Sequence, residues 1–479
     1  MLFNSFQFLI FLPIVFVLYW FVFKERRWQN LLVVGASYVF YGWWDWRFLG
    51  LIALTSLCSY ASGILIERYE GCRRRRRLVS AANIVLNLAI LGYFKYAGFF
   101  VENLDRLLQS LLGYQLDWVA REVILPVGIS FYTFQALSYT IDVYRGNIRA
   151  TRDVVEFFAF ISFFPQLVAG PIERATHLLP QFQRDRHFDY ASAVDGLRQM
   201  LWGFVKKIVV ADRLATDVNA LWGQYEDLPG LSLLLLGVMF AFQIYCDFSG
   251  YSDIAIGCSR LFGISLMRNF NYPYFARDIR QFWQRWHISL TTWFRDYVYI
   301  PLGGNRCSWQ RAAANVLVVW AISGLWHGAK WTFVCWGLYH ALLLITYRLL
   351  KRQGATSRPT GRVASATIAA LQTGATFLLV VVGWIIFRSE DMTQACGFLS
   401  HMFSNLLAYA PMKFGKYDLL LCAMLVSMEW LQRDKQHALQ LDGVGLFRHA
   451  YVRYVLYAAL FTLIIFAAGK VQTFIYFQF

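Results

Sequence analysis

Charge is scarce in this chain of 479 residues: Asp, Glu, Lys and Arg together make up 15% of it, and there are only 10 prolines. A composition so poor in charge and proline excludes a disordered chain, a collagen-like repeat and a coiled coil. Cysteines are few and scattered. Cys58, Cys72, Cys246, Cys258, Cys307, Cys335, Cys396 and Cys422 include no CxxC and no Cys/His metal spacing, so they read as small apolar fillers of helices and no metal is expected. Also missing are a GxSxG nucleophile elbow, a Walker loop and a GxGxxG opening a helix. Hydrolysis through a serine, ATP-driven pumping and nicotinamide chemistry lose support accordingly.

What fills the chain instead is apolar: 58% hydrophobic residues, with 18 Trp, 27 Tyr and 42 Phe. At roughly 20 residues per crossing the length allows about ten spans with much of the chain left over for loops. The expectation is an all-α polytopic membrane protein whose main partner is the lipid bilayer. The net charge of +16 is then the sum of basic cytoplasmic loops, and no nucleic-acid partner is implied. Met1 to Phe23 lacks a basic n-region and a convincing cleavage site, and is read as a first span rather than a signal peptide.

Basic residues supply an orientation. Lys24, Arg26 and Arg27 close the first run; apolar runs starting at Leu31 and ending near Ile66 bracket a polar turn around Asp45 and Arg47; five arginines follow at Arg73 to Arg77. Two further runs, Leu78 to Phe100 and Val123 to Tyr144, lead to Arg145, Arg149 and Arg152. If each run crosses, all three basic groups fall on one side, the cytoplasm, and the N-terminus lies outside. Glu156 to Gly170, interrupted by Pro165, reads as a broken or re-entrant segment. Tyr190 to Leu214, where Arg198, Lys206 and Lys207 alternate with apolar residues, reads as an amphipathic helix suited to the membrane interface. Later runs are Leu231 to Tyr245, Ala313 to Trp326, Trp331 to Tyr347, Ala366 to Phe387, Tyr417 to Leu431 and Val452 to Phe474, with one long polar connection at Lys351 to Arg362. Residues 1–479 thus form a single integral-membrane domain: N-terminal spans in 1–150, re-entrant, amphipathic and spanning segments in 151–266, a chemistry-bearing stretch in 267–345 and C-terminal spans in 346–479.

Met267 to Trp309 mixes polar and aromatic side chains, a composition suited to half-buried interfacial helices and equally to an anion-binding surface. Arg277, Arg280, Arg285 and Arg295 are its cationic candidates. His327, between Gly324 and Gly328 and flanked by apolar runs, is the strongest functional candidate, because an ionisable group at membrane depth is costly. His287 is the second. His340, about 140° from His327 around an ideal helix, reads as structural. A neutral imidazole can accept a proton from a hydroxyl and return it to a leaving group.

Several motifs together resemble the membrane-bound O-acyltransferases, in particular the bacterial alginate and cellulose O-acetyltransferases. They are Tyr245-x-Asp247-Phe248-Ser249-Gly250-Tyr251-Ser252-Asp253, Phe282-Trp283-x-Arg285-Trp286-His287, Trp293-x-Arg295-Asp296-Tyr297, Pro301 to Asn305 and Gly324-Leu325-Trp326-His327-Gly328. Earlier and later pieces agree, among them Tyr93-Phe94-Lys95-Tyr96, Ala169-Gly170-Pro171 and Gly383-Trp384. The resemblance implies a ring of about ten to twelve transmembrane helices with re-entrant and interfacial helices around a thinned centre. It also implies that His327 is catalytic, with His287 the second functional position. Asp247, Asp253, Asp296 and Trp326 are supporting candidates. The expected activity is acetyl transfer from a cytoplasmic thioester, acetyl-CoA, toward an exported polysaccharide such as alginate or cellulose. Transfer is direct or through an extracytoplasmic acetyltransferase or secretion partner at the bacterial inner membrane, with no tightly bound cofactor. On this expectation His327 deprotonates the attacking group and His287 orients the acyl carbonyl or steadies its charge. D-alanyl transfer to teichoic acid is the alternative within the family. A proton-coupled transporter using His327, Asp247 and Asp253 is the alternative outside it.

Overall fold

The computed structural model describes residues 1–115, 124–352, 362–408, 416–443, 445–469, 472, 474 and 475. Among these, every regular element is helical, as lipid-exposed backbone requires. Among the described residues six segments are long and apolar enough to cross a membrane: Arg26–Arg68, Arg73–Leu112, Gly230–Leu261, Trp331–Lys351, Ser365–Arg388 and Ala450–Ala467. The first is two helices, Arg26–Asp45 and Leu49–Arg68, separated by a short turn in which the Asp45 carboxylate accepts from the main chain of Arg47 at 3.0 Å. Other helices, including Phe6–Val17 with its π-helical continuation, Ile129–Arg145, Trp309–His327 and Lys416–Leu431, account for the remaining expected runs. Val123 and residues 353–361, part of the expected fifth run and of the polar connection, lie outside the described residues.

The chain divides into two compact units, residues 1–197 with 255–267, and residues 198–254 with 268–479. In the first, Leu49–Arg68, Arg73–Leu91 and Ile129–Arg145 pack on one another. Small polar side chains form the seam: Asn83 Nδ2 donates to Thr140 Oγ1 at 2.7 Å and to Ser59 Oγ at 3.2 Å. Such residues let helices approach closely where no hydrophobic force distinguishes helix from lipid. The expected broken segment is a nine-residue helix, Val154–Ser162, followed by the four-residue turn Phe164–Leu167. Both are too short to cross. Nearby, the fully buried Glu173 accepts from the Met267 main chain at 2.5 Å and meets His177 Nδ1 at 2.7 Å, which raises the His177 imidazole above its ordinary value.

In the second unit, Trp309–His327 and Trp331–Arg352 form a tight hairpin. A Cβ on Gly324 would stand 2.1 Å from the Phe333 carbonyl oxygen, and one on Gly337 2.1 Å from that of Trp320. Only glycine permits this approach, and it is what draws the end of the first helix against its partner.

Three expectations are corrected here. Lys206 and Lys207 do not face an interface: both are buried in a π-helical segment, Val205–Ala211, and paired with carboxylates. The extra residue per turn of π geometry brings two consecutive lysines inward together. The last run does not continue to Phe474. Its helix ends at Ala467, and Phe474 lies with its ring 4.7 Å from that of Tyr251. The Met267 to Trp309 stretch is less interfacial than its composition suggests, since Phe282, Trp283, Trp286 and Trp293 are buried and pack in the unit's interior.

Candidate active site

His287 sits between two seven-residue helices, Ile279–Arg285 and Ile288–Phe294, at φ 43° and ψ 54°. This left-handed conformation costs a non-glycine residue roughly 1–2 kcal/mol and persists only where surroundings enforce it. They do: Asn271 N–H donates to Arg285 O at 2.9 Å and Ile288 N–H to Asn269 O at 2.9 Å, so the 269–271 segment grips the backbone on both sides of His287. The side chain is held as well, with Nδ1 3.0 Å from Asn269 Oδ1. The ring meets Phe248 edge-on at 4.7 Å. Burial pushes the imidazole down to about 3, so it is neutral at physiological pH.

His327 ends its helix, and the chain turns extended at Gly328. The two imidazoles flank one indole: the Trp326 ring centroid is 6.0 Å from that of His287 and 4.9 Å from that of His327. Trp336 and Phe387 close the far side of His327 at 5.0 and 5.4 Å. Trp336 also touches His340 at 5.1 Å, and His340 Nδ1 lies 3.4 Å from the Trp283 indole nitrogen, which donates. The helix break at Gly328 makes the angular separation of His327 and His340 irrelevant: both rings reach the same tryptophan. His340 serves there as a buried packing partner of Trp283.

A cavity of about 460 Å³ opens beside this cluster. Arg280, Arg295 and Arg348 supply its cationic lining, Trp283, Trp320 and Tyr299 its aromatic lining. Val316, Val319, Trp320 and Ser323 line it from one helix face at helical spacing, and His327 is the next residue along that stripe. At 1.5 Å rise per residue it lies about 6 Å beyond Ser323.

Of the four arginines expected to bind a donor, Arg280 and Arg295 are in the lining, whereas Arg277 and Arg285 are not. Burial, with the neighbouring charges of Arg277 and Arg268, lowers the Arg285 guanidinium, marking a separate basic group. Arg348 is the cation sequence reasoning missed. It lies 53 positions after Arg295 on another helix, and only the packing of Trp331–Arg352 brings it to the cavity. Asp296 pairs with the adjacent Arg295 at 2.7 Å. Asp247 and Asp253 pair with Lys207 and Lys206 at 2.6 and 2.5 Å. None of the three lines the cavity; Trp326, by contrast, stands between the histidines. Asn269 is fully buried, and nothing in its sequence context sets it apart from the other polar residues of Met267 to Trp309.

The family model for the membrane-bound O-acyltransferases matches residues 38–382, a run that includes both histidines and Trp326. The chain belongs to the membrane-bound O-acyltransferase family. This acyltransferase is 41% identical over 401 residues to the probable alginate O-acetylase of Azotobacter vinelandii, covering 84% of this chain and 77% of that protein. It is 32% identical over 432 residues to the peptidoglycan O-acetyltransferase of Helicobacter pylori, covering 84% and 80%. Similarity to the teichoic acid D-alanyltransferase of Bacillus subtilis is lower, 28% over 275 residues, covering 55% and 69%.

Proposed function

We propose that this acyltransferase O-acetylates an exported polysaccharide of the alginate type, with acetyl-CoA as donor. The carrying observation is the cavity lined by three arginines and by aromatic side chains, one wall of which is a helix face whose next residue is His327. Its cationic lining suits the phosphates of coenzyme A, and its size is that of a small-molecule pocket. In this reading the donor enters from the cytoplasm and the thioester carbonyl comes to rest by Trp326. An acceptor hydroxyl arriving from the opposite side attacks it; the new O–C bond forms, the C–S bond breaks, and the hydroxyl proton ends on the departing thiolate. Two imidazoles are available for the two tasks of taking that proton and steadying the acyl oxygen. In this reading the chain lies in the bacterial inner membrane with its N-terminus outside, which the alternation of basic loops supports. The acceptor is either the glycan itself or a hydroxyl of an extracytoplasmic acetyltransferase.

The degree of similarity to the alginate O-acetylase, over more of the chain than that to the D-alanyltransferase, favours acetyl over D-alanyl transfer. Pairing of Asp247 and Asp253 with lysines counts against a proton relay through them. Inside-out membrane vesicles from cells producing the protein and its polymer, offered acetyl-labelled acetyl-CoA, provide the test. Label is expected in the polymer or a partner protein, and to fall at least tenfold in Arg348→Ala. Label accumulating in the lumen without covalent transfer refutes the reading.

A further inference from the structure

Asn269 is fully buried, and its side-chain amide is surrounded by hydrogen-bonding groups. On one side Nδ2 reaches Ser252 Oγ at 3.1 Å; on the other, Oδ1 receives Ser289 Oγ at 2.9 Å and Ser289 N–H at 3.4 Å, and faces His287 Nδ1 at 3.0 Å. A main-chain N–H only donates. The end of the amide that faces Ser289 is therefore the oxygen, which fixes the orientation that a side-chain amide otherwise leaves open. An amide oxygen only accepts, so the His287 nitrogen opposite it carries the proton. Neutral imidazole has one N–H, and the second nitrogen, Nε2, then bears the lone pair.

We infer that Asn269 is a positioning residue for the acyl transfer, holding His287 as the Nδ1–H tautomer so that Nε2 is a proton-accepting nitrogen. This rests on the acyltransfer reading above and refines its division of labour. An imidazole in this form does not donate a hydrogen bond from Nε2 to the acyl oxygen, which is the role expected of it from sequence. It receives the proton of the attacking hydroxyl as the O–C bond forms, and passes that proton to the thiolate as the C–S bond breaks. Steadying the acyl oxygen falls to other groups around Trp326.

The backbone serves the same end. Ile288 N–H bonds to the carbonyl of Asn269 itself, so one residue fixes both the left-handed main chain at His287 and the tautomer of its ring. Substituting Asn269 tests the second function apart from the first, because the carbonyl remains. The rings around His287, Phe248, Phe270 and Trp326, carry no titratable group. The elements that bring them carry Asp247 and Asp253, each paired with a lysine, and the cations Arg260, Arg268 and Arg311, while His327 is the imidazole on the other side of Trp326.

The experiment compares wild type, Asn269→Asp, Asn269→Ala and Ser252→Ala in inside-out vesicles with labelled acetyl-CoA, measuring kcat and KM from pH 5 to 9. Aspartate keeps an oxygen facing His287 and Ser289 and adds a negative charge that favours imidazolium, so an acid limb that lies below this range in wild type, where burial holds the imidazole at about 3, should rise into it. Alanine should lower kcat at least tenfold and leave the KM for acetyl-CoA within about twofold. Ser252→Ala, which removes only the contact on the nitrogen side, should retain more than half of wild-type kcat with an unshifted profile. A purely structural Asn269 would lower protein yield and melting temperature in both Asn269 variants without moving the pH profile of the protein that folds. That result, or equal inactivity of folded Asp and Ala variants, overturns the inference. No transfer by wild type would instead refute the acyltransfer reading itself.

Discussion

Removing the ammonium of Lys207 should destabilise the second unit by an amount the geometry sets. Nζ lies 2.6 Å from Asp247 Oδ1 and 2.8 Å from Asp212 Oδ1, and the lysine side chain is 4% exposed. Lys207→Met keeps the volume and strands two carboxylates. Breaking one partner out of a buried pair costs about 3–5 kcal/mol. Proton uptake limits the cost here, because burial already raises the Asp212 carboxyl to about 6. At pH 7 a carboxyl with that value takes up a proton for about 1.4 kcal/mol, and more easily once the lysine is gone. The expected loss is therefore about 3 kcal/mol near pH 7.5 and smaller near pH 5. The sign follows from linkage: a folded-state Asp212 value above the unfolded one makes the variant lose stability as pH rises. In a chain of this size the loss is a drop of roughly 3 °C in the thermal midpoint, read by tryptophan fluorescence of the protein in nanodiscs. Adding Asp247→Asn to the variant keeps an acceptor for the Ile475 main-chain N–H, which donates to Asp247 at 2.8 Å, and removes one stranded charge. The double variant should recover at least half of the loss. A loss below about 1 kcal/mol at pH 7.5, or one that Asp247→Asn leaves unchanged, refutes the argument.

His327→Ala should lower acetyl transfer by about 10²- to 10³-fold at normal protein level, the cost of losing one group that steadies the acyl oxygen; activity within threefold of wild type removes the residue from the mechanism. His177→Gln should lower the thermal midpoint more at pH 6 than at pH 9. Glu173 raises the folded-state value, so the stabilisation is present below the unfolded value and lost as pH rises through the folded one; an equal loss at both pH values contradicts this. For orientation, cysteines at Asn4 and Arg74 should react with an impermeant thiol reagent from opposite sides of the membrane, Asn4 from outside. Phe3 is buried and makes a poor probe. Labelling of position 74 in intact cells reverses the topology.

Composition and run length set the solvent and the helical secondary structure, and two local motifs single out His287 and His327 as candidates. Low charge and long apolar runs leave helices as the available spanning structure, and the Gly-flanked His327 and the Arg285-Trp286-His287 run are local signals that survive without coordinates. The break at 163, the glycines at 324 and 328 and the polar turn at 45–47 are likewise local, because turn chemistry acts over a few residues. What crosses between distant segments was decided by tertiary structure alone. Lys206 and Lys207 alternate with apolar residues as in an amphipathic helix, yet two of their carboxylate partners, Asp253 and Asp247, lie far along the chain on the Gly230–Leu261 helix and turn the pattern inward. Arg348 joins Arg280 and Arg295 only because a hairpin returns it to their cavity, while Arg277 and Arg285, nearer in sequence, point to another group. Asn269 shows the limit most directly. Nothing in its neighbours along the chain distinguishes it from Asn271, and its place against His287 and Ser289 comes from backbone pairing across a fold of 18 residues.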